Sequence, residues 1–432
     1  MSDYIVTSGS TLNNELVDIE IRDGRFDRIV PAGEGDPGAF LDSQRYDASE
    51  RLVTSPLIEP HTHLDLTLLA GNPHWNETNT LEEGWRLWTK QRDEVTKKDV
   101  KRRARKVIKW FVSRGVTRAR THVNINTKYE SFVLLDAMDE LREEVSDVID
   151  LQLVSFPFDC LMTANYEQKL DLFEESLERG IDVVGGVPHK EHTREDGISH
   201  VKAVMDLAEK HRCPVDLHID ETDDPQSRFT EVLASEALKR GIGDRTTASH
   251  ATAMHSYSNA YADKLIRLIA DSGMSVVTNP MSNAVLQGRY DDFPRRRGHT
   301  RIEALREANV PVGIGQDDIV DHFNSYGDGD PLSAVFVLIH LAHMNGQEDV
   351  DALWEMLLRG NAEVYGTADY GLREGTRGSL VVYDGYSPFD VLRTCPPRTL
   401  VIKYGRPVAR TKVTSTITVD GEREAVNYAR EV

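Results

Sequence analysis

The strongest constraint on this chain is a rhythm. From residue 115 onward, short apolar runs alternate with longer amphipathic segments. The runs are Thr117–Val123, Val148–Phe156, Val183–Val187, Pro214–Ile219, Thr246–Ala251, Met274–Thr278 and Val310–Ile314, and Leu52–Glu59 precedes them. Several lack polar alternation, as strands covered on both faces do. Between them, Asp99–Val112, Tyr129–Leu141, Leu170–Arg179, Ser199–His211, Glu231–Arg240 and Asn259–Asp271 space their apolar residues by three and four, as helices do. Gly115, Gly180, Gly241 and Gly273 supply the stops. Eight strands alternating with helices predict an α/β fold, a (β/α)8 TIM barrel; an open doubly wound sheet is the competitor.

The two ends read differently. Ile5–Ile29 alternates with period two around an Asp23-Gly24 turn, and Leu380–Val382 and Thr399–Tyr404, followed by Gly405-Arg406, look similar. Neither end is large enough to fold well alone. They are expected to pair into one small β-sandwich domain, built from residues 1–55 and 369–432 around a metal-dependent hydrolase barrel at 56–368.

Composition narrows the class. The three cysteines, Cys160, Cys213 and Cys395, are scattered with no C-x-x-C pair, which excludes a disulfide scaffold, a zinc finger and a thiol redox motif. Met1–Glu20 lacks the pattern of a signal peptide and no run approaches 18 apolar residues, so a soluble, cytoplasmic chain with no membrane partner is expected. Seventy-one acids against 51 bases give a net charge of −20, which disfavours nucleic acid as a partner. Such an excess fits either an ordinary acidic enzyme or a halophile-like acidic surface whose self-repulsion is screened by strong salt.

In a barrel the chemistry sits at the C-terminal ends of the strands. The first run is followed by Pro60-His61-Thr62-His63, the second ends in His122 and the fourth in His189. The fifth leads into His218-Ile219-Asp220-Glu221, the sixth into His250 and the eighth into Asp317-Asp318. Five of eight strands thus deliver histidine at one end. His61 and His63, two apart on a strand, share a face and can grip one metal; His218 and Asp317 complete three nitrogens and one oxygen, a set suited to zinc or Fe(II). A metal there would bring the pKa of a bound water towards about 7. Glu221, three residues past His218, is placed to shuttle protons as a general acid and base. His250 is a catalytic candidate, for orienting hydroxide or stabilising an oxyanion, with a second-metal ligand as the alternative. Asp318 is free to hold a substrate edge. His122 and His189 read as supporting residues. Lys190 is the one residue near the end of strand four that a carboxylated, two-metal arrangement could use, although strand alternation turns it away.

With these residues the chain resembles the amidohydrolase superfamily, and within it the cytosine deaminases. The similarity runs from about Pro56 to Arg410. It is carried by His61-Thr62-His63, AGNPHWN (Ala70–Asn76), RTHV (Arg120–Val123), DVVGGVPH (Asp182–His189), TRE-x-G (Thr193–Gly197), HIDETDDPQSRF (His218–Phe229), ASHATAMHSY (Ala248–Tyr257), LQGR (Leu286–Arg289), RRRG-x-TR (Arg295–Arg301) and Asp317-Asp318. The resemblance implies one zinc or iron ion on His61, His63, His218 and Asp317, with Glu221 as proton shuttle and His250 as hydroxide partner. It puts Asp318 near the leaving amino group and implies a homo-oligomer. Three positions depart from it. Phe158 stands where the family has a glutamine reading the pyrimidine's amide edge, Phe323 where it has a tryptophan, and Gln316 where it has a histidine. The expected activity is hydrolytic deamination of a small nucleobase-like ring, cytosine to uracil first, with isocytosine, creatinine or an aminotriazine such as an ammelide as alternatives. A cyclic-amide hydrolase and a non-catalytic binder are the remaining rivals; a binder has little use for a proton shuttle.

Overall fold

The computed structural model describes residues 3–126, 131–420, 422–426 and 428. Eight parallel strands succeed one another in chain order around a barrel: Leu57–Thr62, Val116–Ile125, Asp150–Pro157, Val183–Gly186, Val215–Ile219, Thr246–His250, Ser275–Thr278 and Val312–Ile314, here barrel strands one to eight. Strands four to eight and strand one are buried along their whole length, which is why several of their runs lack polar alternation. A parallel bridge between Thr62 and Asp317 joins the last strand to the first. Asn361, in the helix Asn361–Tyr365, reinforces that seam: its Nδ2 donates to Ile58 O and Ile314 O at 2.8 and 3.0 Å, and its Oδ1 accepts from Ile314 N at 2.7 Å. The fold is a (β/α)8 TIM barrel.

The run Leu52–Glu59 proves to be two elements. Pro56 has no N–H to give a ladder. Before it, Val53–Thr54 pairs with Leu380–Tyr383 in the small domain; after it, barrel strand one begins at Leu57 and continues past Glu59 to Thr62, carrying His61 into the site. The helices fall where apolar spacing put them. Lys97–Ser113 starts on Thr96, whose hydroxyl accepts from Asp99 N, and buries Val100, Ala104, Val107, Ile108 and Phe111 along one face. The segment expected at Tyr129–Leu141 forms Val133–Val145; residues 129 and 130 lie outside the described residues.

The two ends build a pair of four-stranded sheets. One contains the meander Tyr4–Ser10, Leu16–Arg22 and Arg25–Pro31, turned at Asp23-Gly24, where both residues have positive φ, with Arg45–Asp47 at its edge. The other joins Val53–Thr54 to Leu380–Tyr383, Arg398–Lys403 and Arg406–Arg410. Ile19, Phe26, Val53, Val382 and Leu400 share one apolar cluster between them, separate from the barrel core. A buried ion pair ties this domain to the barrel: Arg398 Nη1 donates to Asp330 Oδ2 at 2.8 Å, and Nη2 reaches the other oxygen.

Candidate active site

The C-terminal strand ends bring His61, His63, His218 and Asp317 together, all buried. His61 Nε2 lies 3.2 Å from His218 Nε2 and His63 Nε2 lies 2.9 Å from it; Asp317 Oδ1 stands 3.3 and 3.4 Å from His61 Nε2 and His63 Nε2. Four donors around an ion at about 2.0–2.1 Å would stand about 3.3 Å apart at the corners of a tetrahedron. The quartet matches that spacing, so the residues fit one divalent ion. Burial, together with His122 and the other rings nearby, keeps the His218 imidazole well below its ordinary pKa, leaving a neutral ring with a lone pair to give. Burial alone would raise the Asp317 carboxyl, but His250, His61 and His63 hold it well below the usual range.

Three strand ends turn sharply. Asp220 and Asp317 adopt positive φ, as does His250, a conformation that costs an ordinary residue about 1–3 kcal/mol. At Asp220 the cost is offset locally. Its carboxylate accepts from Ser227 Oγ, Phe229 N, Thr230 N and Thr230 Oγ at 2.6–2.9 Å, and this fixes the loop that carries Glu221.

Glu221 and His250 sit on one side of the quartet, with Glu221 Oε1 3.6 Å from His250 Nδ1 and His250 Nδ1 3.9 Å from Asp317 Oδ2. Burial, with the Asp317 charge behind it, raises the Glu221 carboxyl well above the ordinary range; the same two causes act on Asp318. Asp317, Asp318, Glu221, His63 and His218 form the polar wall of a half-open pocket with about 30 Å³ of free volume. Leu66, Leu81, Trp85, Phe156, Phe158, Leu286 and Phe323 form the apolar one. Phe158 and Phe323 therefore both reach the site, their ring centroids 6.4 Å apart. Phe323 can approach only because residue 84 is glycine: a Cβ there would meet its ring at 2.5 Å. Asn76 Nδ2 donates to His322 O at 2.9 Å, linking the loops that follow strands one and eight above this pocket.

Other expected residues stand further back. His122 Nε2 lies 3.1 Å from His61 Nδ1, behind the quartet. His189 lines the larger outer cleft, and both its buried ring nitrogens lack a hydrogen-bond partner among the described residues. Lys190 turns away from the quartet: Nζ donates to Phe158 O and lies 4.3 Å from the Trp85 ring centroid. Burial brings its pKa down to about 8. Gln316 Nε2 donates to Asp330 O at 2.8 Å, outside the pocket wall.

Sequence reasoning passed over Glu59, Asp216, Ser249, Asn279 and Asn283. Glu59 Oε1 accepts from His61 N and Gln316 N, both at 3.0 Å, stapling strand one to the end of strand eight; burial raises its pKa to about 8. Asn279 and Asn283 follow strand seven and bring their Nδ2 atoms 3.3 and 3.1 Å from His250 Nδ1; Asn283 Nδ2 also reaches Glu221 Oε1 at 3.4 Å. A signal was available for some of these. Asn279 ends its strand as the histidines end theirs, and Asp216 precedes His218 by two on the same face.

Comparison with known proteins identifies the family. The amidohydrolase family profile matches residues 78–409. The 5-methylcytosine deaminase of Klebsiella pneumoniae, solved with 5-fluorocytosine and with phosphonocytosine, is 37% identical, with a TM-score of 0.90 over 95% of this chain and 98% of that one. The N-isopropylammelide isopropyl amidohydrolase of Pseudomonas sp. (strain ADP) is 26% identical over 393 residues, 90% of this chain and 93% of its own. The pterin deaminase of Rhizobium rhizogenes is 26% identical over 399 residues, 91% of this chain and 88% of its own. On the family match and the 37% identity across nearly the whole chain, this protein belongs to the amidohydrolase family, as a hydrolase of carbon–nitrogen bonds.

Proposed function

We propose that this enzyme deaminates an aminopyrimidine by hydrolysis, with cytosine or a 5-substituted cytosine as substrate and the corresponding uracil and ammonia as products. The observation that carries this reading is Glu221, a buried carboxyl between a three-histidine, one-aspartate cluster and a wall of aromatic and aliphatic side chains. The similarity to a 5-methylcytosine deaminase supports the choice of ring. Phe156, Phe158 and Phe323 offer faces and edges for a flat heterocycle and apolar room beside a 5-substituent, where an amide would instead read a polar edge.

His61, His63, His218 and Asp317 would hold one divalent ion, zinc or Fe(II). When bound, such an ion supplies Lewis acidity and makes water a nucleophile near neutral pH. The chain's own groups do the rest. Water adds to the ring carbon bearing the amino group, and Glu221 takes one of its protons and delivers it to the adjacent ring nitrogen. Glu221 then takes the remaining hydroxyl proton to the exocyclic nitrogen; the C–N bond breaks, ammonia leaves and a carbonyl forms. His250, whose Nδ1 lies 3.6 Å from Glu221 Oε1 and 3.9 Å from Asp317 Oδ2, is placed to orient the attacking water or to stabilise the oxygen on which charge develops. Asp318 accepts from the amino group and holds it for departure.

Ammonia release from cytosine, 5-methylcytosine, isocytosine, creatinine and ammelide, compared as kcat/KM, tests the reading. An aminopyrimidine should lead. A non-pyrimidine ring preferred by more than about tenfold, about 1.4 kcal/mol in transition-state stabilisation, would overturn it.

A further inference from the structure

We propose that Ser249 and Asp216 are positioning residues that set the tautomer of His61, so that its Nε2 lone pair faces the ion site. The inference rests on the reading of His61 as a metal ligand. Hydrogen positions here are assigned from the donors and acceptors of the network.

Asp216, Ser249 and Arg120 come from three different barrel strands and are buried, at 0%, 0% and 1% exposure, so each polar group must find its partner within the protein. Arg120 Nη1 donates to Asp216 Oδ2 at 3.1 Å. Arg120 is itself held, with Nε donating to Gln152 Oε1 at 3.0 Å and Nη2 to Val364 O at 2.6 Å. The second carboxylate oxygen, Asp216 Oδ1, lies 2.6 Å from Ser249 Oγ. A carboxylate paired with a guanidinium only accepts, so the single serine hydrogen goes to Asp216. Ser249 Oγ can then only accept from His61 Nδ1, 2.9 Å away. The imidazole hydrogen therefore sits on Nδ1. Nε2 is left bare, and it is the atom that stands 3.3 Å from Asp317 Oδ1.

The neighbours agree with this polarity. His122 Nε2, 3.1 Å from the same Nδ1, serves as a second acceptor for that hydrogen. His61, His122 and Asp216 also lie close enough together to suggest a second ion, but the Arg120 guanidinium already neutralises that carboxylate. The line Arg120–Asp216–Ser249–His61 is a one-way relay. It orients the ring, raises the basicity of its free nitrogen and excludes the tautomer that cannot bind metal.

Cobalt(II) titration of the full-length metal-free protein tests this, with the visible spectrum and a competing chromophoric chelator as readouts. Ser249→Ala should weaken cobalt binding roughly 10–100-fold, the usual range for loss of an outer partner of a ligand. Asp216→Asn should weaken it at least as much. Its carbonyl must face Arg120, so its amide turns towards Ser249, the serine hydrogen moves to His61 Nδ1, and the imidazole hydrogen moves to Nε2. Circular dichroism of the metal-free variants shows whether they fold, and where Asp216→Asn does not, Ser249→Ala decides alone. Folded variants that bind cobalt with the parent's affinity and spectrum would overturn the relay. A parent protein that binds no cobalt would overturn the metal reading beneath it, and the relay with it.

Discussion

Glu221→Gln separates proton transfer from everything else the site does. Glutamine has nearly the volume of glutamate, and its carbonyl can still accept from Asn283 Nδ2, now 3.4 Å from Glu221 Oε1. Glu221 is outside the quartet formed by His61, His63, His218 and Asp317, so metal content should not fall. The buried carboxyl also stands against the charge of Asp317, a repulsion the neutral amide does not feel. What disappears is the group that, in the proposed mechanism, carries two protons per turnover. General acid–base catalysis contributes about 10²–10⁴ in rate, or about 2.7–5.4 kcal/mol at 1.36 kcal/mol per factor of ten. The expected result is a fall in kcat of that size, with metal content and thermal midpoint within error of the parent. Coupled ammonia assay, elemental metal analysis and calorimetry measure the three quantities. Unchanged turnover would remove Glu221 from the mechanism, and parallel loss of metal would make it a ligand.

Gly84→Ala would drive a methyl to 2.5 Å from the Phe323 ring, an overpacking that costs about 1–3 kcal/mol; kcat/KM should fall as Phe323 is pushed into the pocket, and wild-type values of both stability and kcat/KM would refute the close contact. Asp330→Ala leaves Arg398, buried at 0% exposure, without its carboxylate, and equilibrium urea unfolding should report a loss of about 3–5 kcal/mol. A loss under about 1 kcal/mol would show that this pair does not couple the small domain to the barrel. The net charge of −20 predicts that the thermal midpoint rises from dilute buffer to molar potassium chloride as self-repulsion is screened; a flat profile would mark an ordinary acidic enzyme.

The barrel was legible because burial on both faces leaves a trace: largely apolar runs at regular intervals, six of the eight ending near a histidine or acid. His61, His63, His218 and Asp317 could be read from those ends alone. The break inside Leu52–Glu59 was harder, since the run is apolar on both sides and only Pro56 marks where one sheet hands over to another. Ser249 and Asp216 were missed for a different reason. Spacing puts Asp216 on the face of His218, but the importance of Ser249 and Asp216 lies in which atoms they meet across the barrel, at 2.6 and 2.9 Å, and spacing does not reveal those partners. Strand seven delivers neither histidine nor acid, so a scan for metal-binding types passed over Asn279 and Asn283, although their amides converge on His250.

Ammonia and product formed from cytosine and 5-methylcytosine, counted per turnover with and without a strong chelator, test the central claim most directly. One ammonia should form for each uracil or thymine, with activity lost on chelation and restored by zinc or Fe(II). Well-folded, metal-loaded protein that releases no ammonia from either ring would contradict it.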